Sequence, residues 1–236
     1  MHSLSHKSHW LWLLVAGLLM AALSLTWQAR AQTSPSALIL NIEGAIGPAT
    51  KDYFERGLRK AREQGSEVVI VELDTPGGLV DTTRDMIREM LNSDLPVVMY
   101  VSPSGARAAS AGTYLLYGSH VAAMAPSTHL GSATPVQMGG GGLTGGDEAG
   151  EESAGEQEGS AMERKVIEDA VSFIRSLAER HGRNADWAEE AVRDAVNLTE
   201  SDALEQNVID VVARDMNDLL AQLDGMTVVM ERGEES

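Results

Sequence analysis

The chain has no cysteine among its 236 residues. That absence excludes disulfides, thiol catalysis and cysteine-ligated zinc together. Positive charge is also scarce. Lys and Arg total 18 against 35 Asp and Glu, a formal charge of -17. A nucleic-acid partner would need a basic stripe to neutralise phosphates, and no such balance is present. Docking on anionic lipid by charge alone is excluded for the same reason. There is no HExxH, carboxylate cluster or histidine pair at metal-ligand spacing, so neither a metal nor another cofactor is expected. Long apolar runs are limited to one, near the N-terminus.

That run, Trp10 to Leu25, follows His2, His6, Lys7 and His9 and precedes Ala29-Arg30-Ala31. A positive n-region, an apolar h-region and an A-x-A site in this order read as a signal peptide over residues 1–31. An uncleaved N-terminal anchor is the other reading, although the run is shorter than the about 20 residues of a membrane span. Removing residues 1–31 takes away Lys7 and Arg30 and no acid, leaving an exported chain that is still more acidic.

From Ala37 onward, strand-like and helix-like segments alternate. Ala37–Ile42, Val68–Leu73, Pro96–Val101 and Val121–Met124 are continuous apolar runs, as expected of strands buried on both faces. Pro48 opens a helix with Phe54, Leu58 and Ala61 at helical spacing, and Gly65 stops it. A second helix is expected over about Asp81–Leu91. Val166, Ala170, Phe173, Ile174 and Leu177 mark a strongly amphipathic helix ending at Gly182. Helices near Trp187–Arg193, Glu200–Gln206 (Thr199 as N-cap) and Met216–Leu223 follow, with strands at Val208–Val212 and Met226–Met230. The alternation predicts one α/β domain with a mostly parallel sheet.

Gln137–Ser160 interrupts the pattern. It is Gly-rich and acidic and carries no aromatic residue. Such a stretch cannot bury enough apolar area to offset its ordering entropy, which predicts a mobile loop, the first place for a protease to cut. Its glycines are not a phosphate cradle, since no strand precedes them and no GK[ST] follows.

Two segments could carry chemistry. Asp74-Thr75-Pro76-Gly77-Gly78 directly follows a strand, where tandem glycines can present backbone N–H groups to a ligand or merely make a turn. Gly105-Ala106-Arg107-Ala108-Ala109-Ser110-Ala111-Gly112 places a serine before a helix-like segment. There Ser110 is either a nucleophile near a helix N-terminus or one more small packing residue. A nucleophilic serine needs a base. His120 and His129 read as structural or solvated. Lys165, beside Met162, Val166 and Ile167, reads either as a solvated lysine or as a base whose burial favours the neutral amine.

ELDTPGG, GARAASAGTYLLYGS, the P-S-T-x-x-G-S-A-T-P segment and the tail TESDALEQNVIDVVARDMNDLL together resemble the NfeD family of ClpP-class serine proteases, the stomatin-operon partner proteins. The resemblance covers nearly all of residues 37–230 and implies a ClpP/crotonase-like fold. It implies Ser110 as nucleophile, and Gly78 with Ala111 as the oxyanion hole, with Gly77 and Gly78 also meeting the substrate. Lys165 falls where the family's general base begins the helix after the loop. Aligning on Pro126 and Pro135 puts the ClpP histidine at Ala133, which leaves a Ser–Lys dyad. One departure is Asn207, where related sequences have Gly; Asn tolerates the left-handed position that ends a helix.

The resemblance further implies a peptide or protein substrate, an apolar segment of a stomatin-like membrane protein, and self-association at least to a dimer. It places the chain outside the cytoplasm, periplasmic or otherwise extracytoplasmic, in association with a membrane. Many family members continue into membrane spans and a β-barrel, so the protein is expected either to be a short member or to continue beyond residue 236. Two rival functions remain at this point: an inactive scaffold for stomatin-like partners, and a crotonase-type acyl-CoA enzyme, which export argues against.

Overall fold

The computed structural model of the chain describes residues 36–136, 155–230 and 233–235. The expected signal segment, residues 1–31, and residues 137–154 of the expected loop lie outside them. Apolar runs with no polar face to offer water pair side by side, and helices cover them. In chain order these are β1 (Ala37–Glu43), α1 (Pro48–Gln64), β2 (Val68–Asp74), α2 (Val80–Leu91) and β3 (Val97–Val101). Next come β4 (Arg107–Ala109), α3 (Ala111–Gly118), β5 (Val121–Met124) and β6 (His129–Gly131). The rest comprises α4 (Gly155–Arg180), α5 (Ala185–Arg193), β7 (Asn197–Thr199), α6 (Glu200–Glu205), β8 (Val211–Val212), α7 (Met216–Leu223), β9 (Val228–Met230) and β10 (Gly233–Glu235).

The main sheet runs β1-β2-β3-β5-β8, every pairing parallel, the α/β architecture expected from the alternation. β3 lies at its centre and is buried at every residue. Alternate residues face opposite sides. Val69, Val71 and Leu73 pack with Phe54, Leu58, Met86, Leu115 and Ile174 on the side of α1–α4. Ile70, Val98, Tyr100 and Ala123 face the other side, where Leu219 of α7 covers them.

Helix ends follow the side chains available. Pro48 opens α1, and Gly65 at φ 68 closes it, with the Ser66 N–H donating to Ala61 O at 2.9 Å. Thr199 accepts from the Asp202 N–H at the start of α6. At the end of α6, Asn207 takes φ 57, the left-handed position expected of it.

Three segments depart from expectation. A second, three-stranded sheet of β4, β6 and β7 has no counterpart in the sequence reading; three-residue strands of small residues carry no periodicity to detect. α4 begins at Gly155, so residues 155–160 are helical rather than part of a loop. Only Val211–Val212 of the Val208–Val212 run pairs as a strand, because the Val208 N–H still donates to Ala203 O in closing α6.

Candidate active site

The unpredicted small sheet builds the site. The Thr75 N–H donates to Arg107 O at 2.8 Å, and the Ala109 N–H donates back to Thr75 O at 3.1 Å. β4 is thereby tied to the carboxyl end of β2. Ser110 follows at once and is also the residue before α3. Its backbone sits at φ 54, ψ -112, a region that costs a side-chain-bearing residue about 1–3 kcal/mol. A sharp strand-to-helix turn of this kind exposes a nucleophilic hydroxyl above a sheet.

Several contacts hold the strained residue. The Ser110 N–H donates to Gly131 O at 2.9 Å. The buried Thr113 hydroxyl lies 2.9 Å from the carbonyl oxygens of both Ala108 and Gly131, and accepts from the Gly131 N–H at 3.1 Å. Gly131 stands at φ 138, where an added Cβ would meet Val196 O at 2.2 Å. No other residue type fits there.

The tandem glycines face Ser110. The Gly77 N–H donates to Thr75 Oγ1 at 3.1 Å. Gly78 bridges Ile46 in parallel, through Ile46 N–H to Gly77 O and Leu79 N–H to Ile46 O. In such a bridge the amide of Gly78 itself points away from Ile46. Among the described residues no acceptor takes it up, and the Ala111 N–H, first in α3, has no intrahelical acceptor either. Both belong to residues in the wall of one cleft with Ser110. Two free donors beside a serine can receive a developing oxyanion.

The cleft is small, about 80 Å³, and mainly apolar. Val80, Ala133, Pro135, Val166, Ala170 and Phe173 line it, with Tyr114, Thr83 and the ion pair of Arg84 with Asp169. Tyr114 stacks on Phe173 at 6.1 Å between ring centroids and donates to Ala133 O at 3.0 Å. Burial raises the phenol of Tyr114, so it stays a neutral donor.

The structure brings Gly78, Ser110 and Ala111 together, with the Gly77 backbone against the Ser110 side chain. Lys165 is not in the cleft wall. It lies on α4 immediately before the lining residue Val166 and one turn before Asp169, but it is exposed rather than buried as its base reading required. His129 is exposed on β6. His120 is buried, and its Nδ1 accepts from the Val97 N–H at 3.1 Å, a structural role. Ala133, the position aligned with the ClpP histidine, lies in the cleft wall. Arg84, Tyr114 and Asp169 were missed as site residues. The apolar stripe Val166, Ala170, Phe173 was visible, but nothing in its spacing distinguishes a cleft wall from a core. Among the described residues no group of acids and histidines is arranged to hold a metal ion.

The family described as NfeD1b, N-terminal domain, matches residues 37–148. Membrane-bound protease PH1510 of Pyrococcus horikoshii is 40% identical over 190 residues, which are 80% of this chain and 40% of that protein. Membrane protein NfeD1b of Bacillus subtilis is 29% identical over 118 residues, 50% of this chain and 26% of that one. The chain thus spans less than half the length of these relatives. Among solved structures, it resembles the 1510-N membrane protease specific for a stomatin homolog from Pyrococcus horikoshii, at 35% identity and a TM-score of 0.65 over 84% of this chain and 83% of that one. A lysine-to-alanine mutant of the 1510-N membrane-bound stomatin-specific protease, in complex with a substrate peptide, is 37% identical, with a TM-score of 0.73 and 84% of each chain covered. A serine-to-alanine mutant has the same identity and TM-score, over 84% of this chain and 89% of that one.

Proposed function

The chain belongs to the NfeD family, and from that premise we propose that it is a serine endopeptidase using Ser110 and Lys165. The observation that carries this is the strained Ser110 at a strand–helix junction, lining one apolar cleft with two residues whose backbone donors are unclaimed. Neutral Lys165 takes the Ser110 hydroxyl proton as Oγ attacks the peptide carbonyl. The Gly78 and Ala111 N–H groups receive the oxyanion. The lysine ammonium then protonates the leaving amine, and water releases the acyl group by the same route in reverse.

Support for Lys165 comes from its place on α4. Its side chain leaves the helix on the same face as Asp169, which lines the cleft. Rotation about its four-carbon stem is the movement the reading requires. The relative solved as a lysine mutant with a substrate peptide fits a base of this type. Its description as stomatin-specific supports a stomatin-like substrate here, and an apolar cleft suits an apolar segment of it. Export, membrane association and a dimer belong to the same proposal. Among the described residues no helix is long and apolar enough to cross a membrane.

The test is hydrolysis of peptides covering the apolar segments of a stomatin-like protein. Ser110→Ala and Lys165→Ala each lower turnover about 1000-fold or more, and the double variant is hardly worse than either, because a dyad acts as one unit. His129→Ala changes little. Near-normal cleavage by Lys165→Ala would end the dyad reading. No cleavage by the wild type, with partner capture surviving Ser110→Ala, would favour a scaffold.

A further inference from the structure

Arg84 and Asp169 are the charged side chains in an otherwise largely apolar cleft wall, and they pair with each other across it, from α2 to α4. The Arg84 guanidinium lies over the Phe173 ring, 4.4 Å from its centroid, and Phe173 in turn stacks on Tyr114. Arg84 is therefore held by an aromatic face as well as by charge. Asp169 has a second candidate partner. Lys165 stands four residues before it on the same helical face, the spacing at which a lysine and a carboxylate attract.

We propose that Arg84 is a positioning residue for the reaction. By occupying Asp169 it keeps that carboxylate from capturing the Lys165 ammonium, and it thereby sets the pH at which the lysine becomes a free base. The inference rests on the reading of Lys165 as the base. Lys165 can serve Ser110 only when it is neutral and unpaired. An uncompensated carboxylate one turn away favours the ammonium and pins it away from the serine; a carboxylate already neutralised by Arg84 does neither.

Glu163 and Arg164 flank Lys165 on α4 and are exposed, while the charges of the neighbouring helices are committed elsewhere. On α2, Asp85 is held by Lys51 and Arg88, each at 2.8 Å. On α4, Glu168 is held by Arg193 of α5 at 2.9 Å. Glu189 of α5 takes Arg193 at 2.6 Å and Arg175 at 2.9 Å. The titratable group that α3 gives the cleft wall is the neutral phenol of Tyr114.

The experiment is the pH dependence of kcat/KM for the full chain on a cleavable peptide, in wild type, Arg84→Met, Asp169→Asn and the double variant. Arg84→Met moves the acid limb upward by about 0.3 pH units, the size expected of an exposed lysine–carboxylate pair one helical turn apart. Asp169→Asn moves it downward, because Arg84 then repels the ammonium unopposed. The double variant returns near the wild-type position, and Arg84→Lys restores most of the single loss. All shifts shrink in about 1 M salt, where such charges are screened. A merely structural role lowers rates without moving the limb in opposite directions. Unchanged limbs, or shifts of the same sign, with Lys165→Ala inactive overturn this inference alone. An active Lys165→Ala overturns the dyad with it. Should Arg84→Met fail to fold, Asp169→Asn still decides through the sign of its shift.

Discussion

The backbone of Gly77 lies directly against the side chain of Ser110. A Cβ placed on Gly77 would fall 2.9 Å from Ser110 Cβ and 3.2 Å from Ser110 Oγ, and Gly77 itself stands at φ 128. The glycine is needed twice, for its backbone angle and for the room it leaves the nucleophile. Gly77→Ala is therefore expected to lower peptide hydrolysis about 100-fold, the effect of an ångström-scale displacement at a reacting atom. It should also destabilise the fold by about 1–3 kcal/mol. Hydrolysis rates beside urea denaturation midpoints measure both. An unimpaired enzyme would show that Ser110 does not need this position.

Thr113 is the latch beneath the serine turn. Its one hydroxyl serves two carbonyls and an N–H in a fully buried setting. Thr113→Val keeps the shape and leaves these groups without it. A loss of about 1–3 kcal/mol is expected, with a larger fall in kcat than in KM, as the strained Ser110 backbone relaxes. Thr113→Ser, which keeps the hydroxyl, should recover most of the rate.

Arg183 ties the other end of the serine-bearing helix. It is buried, donates to the carbonyls of Leu116, Tyr117 and Ser119 at 2.9–3.1 Å, and pairs with Asp210 at 2.6 Å. Arg183→Met would strand these carbonyls and the partly buried carboxylate. Its expected cost is about 3–5 kcal/mol, read as a lower denaturation midpoint. A shift under about 1 kcal/mol would show that water replaces the guanidinium there.

Stability should fall on mild acidification. His120 and His181 stand 6.0 Å apart between ring centroids, beside Arg180 and Arg183. Burial first, then these cations, pulls His120 down to about 4 and His181 to about 3 from an ordinary 6.5. Unfolded, both take up protons near 6.5; folded, they stay neutral. Their contribution is therefore present in full above pH 6.5 and is lost as pH falls toward 4. Denaturation midpoints at pH 7.5, 6 and 5 should decline, and less steeply once both histidines are replaced by Gln. A flat profile in wild type counts against a neutral buried pair.

The sequence carried the frame of this protein because its strands and helices are local statements. VVIVEL and PVVMYV have no polar face, so they belong in the middle of a sheet. Pro48, Gly65, Thr199 and Asn207 mark helix ends by backbone chemistry that needs no distant partner. Gly77 was legible for the same reason, since its backbone at φ 128 calls for a residue without a side chain. What only the tertiary structure decided involves residues far apart in the chain. The three-residue strands β4, β6 and β7 exist because Thr75, Arg107, Gly131 and Asn197 meet in space. The pairing of Arg84 with Asp169 spans α2 and α4. No periodicity records it, because long-range packing, and not helical spacing, sets which polar residue of a helix faces a cleft. The exposure of Lys165 is of the same kind: its sequence neighbours are apolar, but the turn of α4 carries it past the wall that Val166 enters.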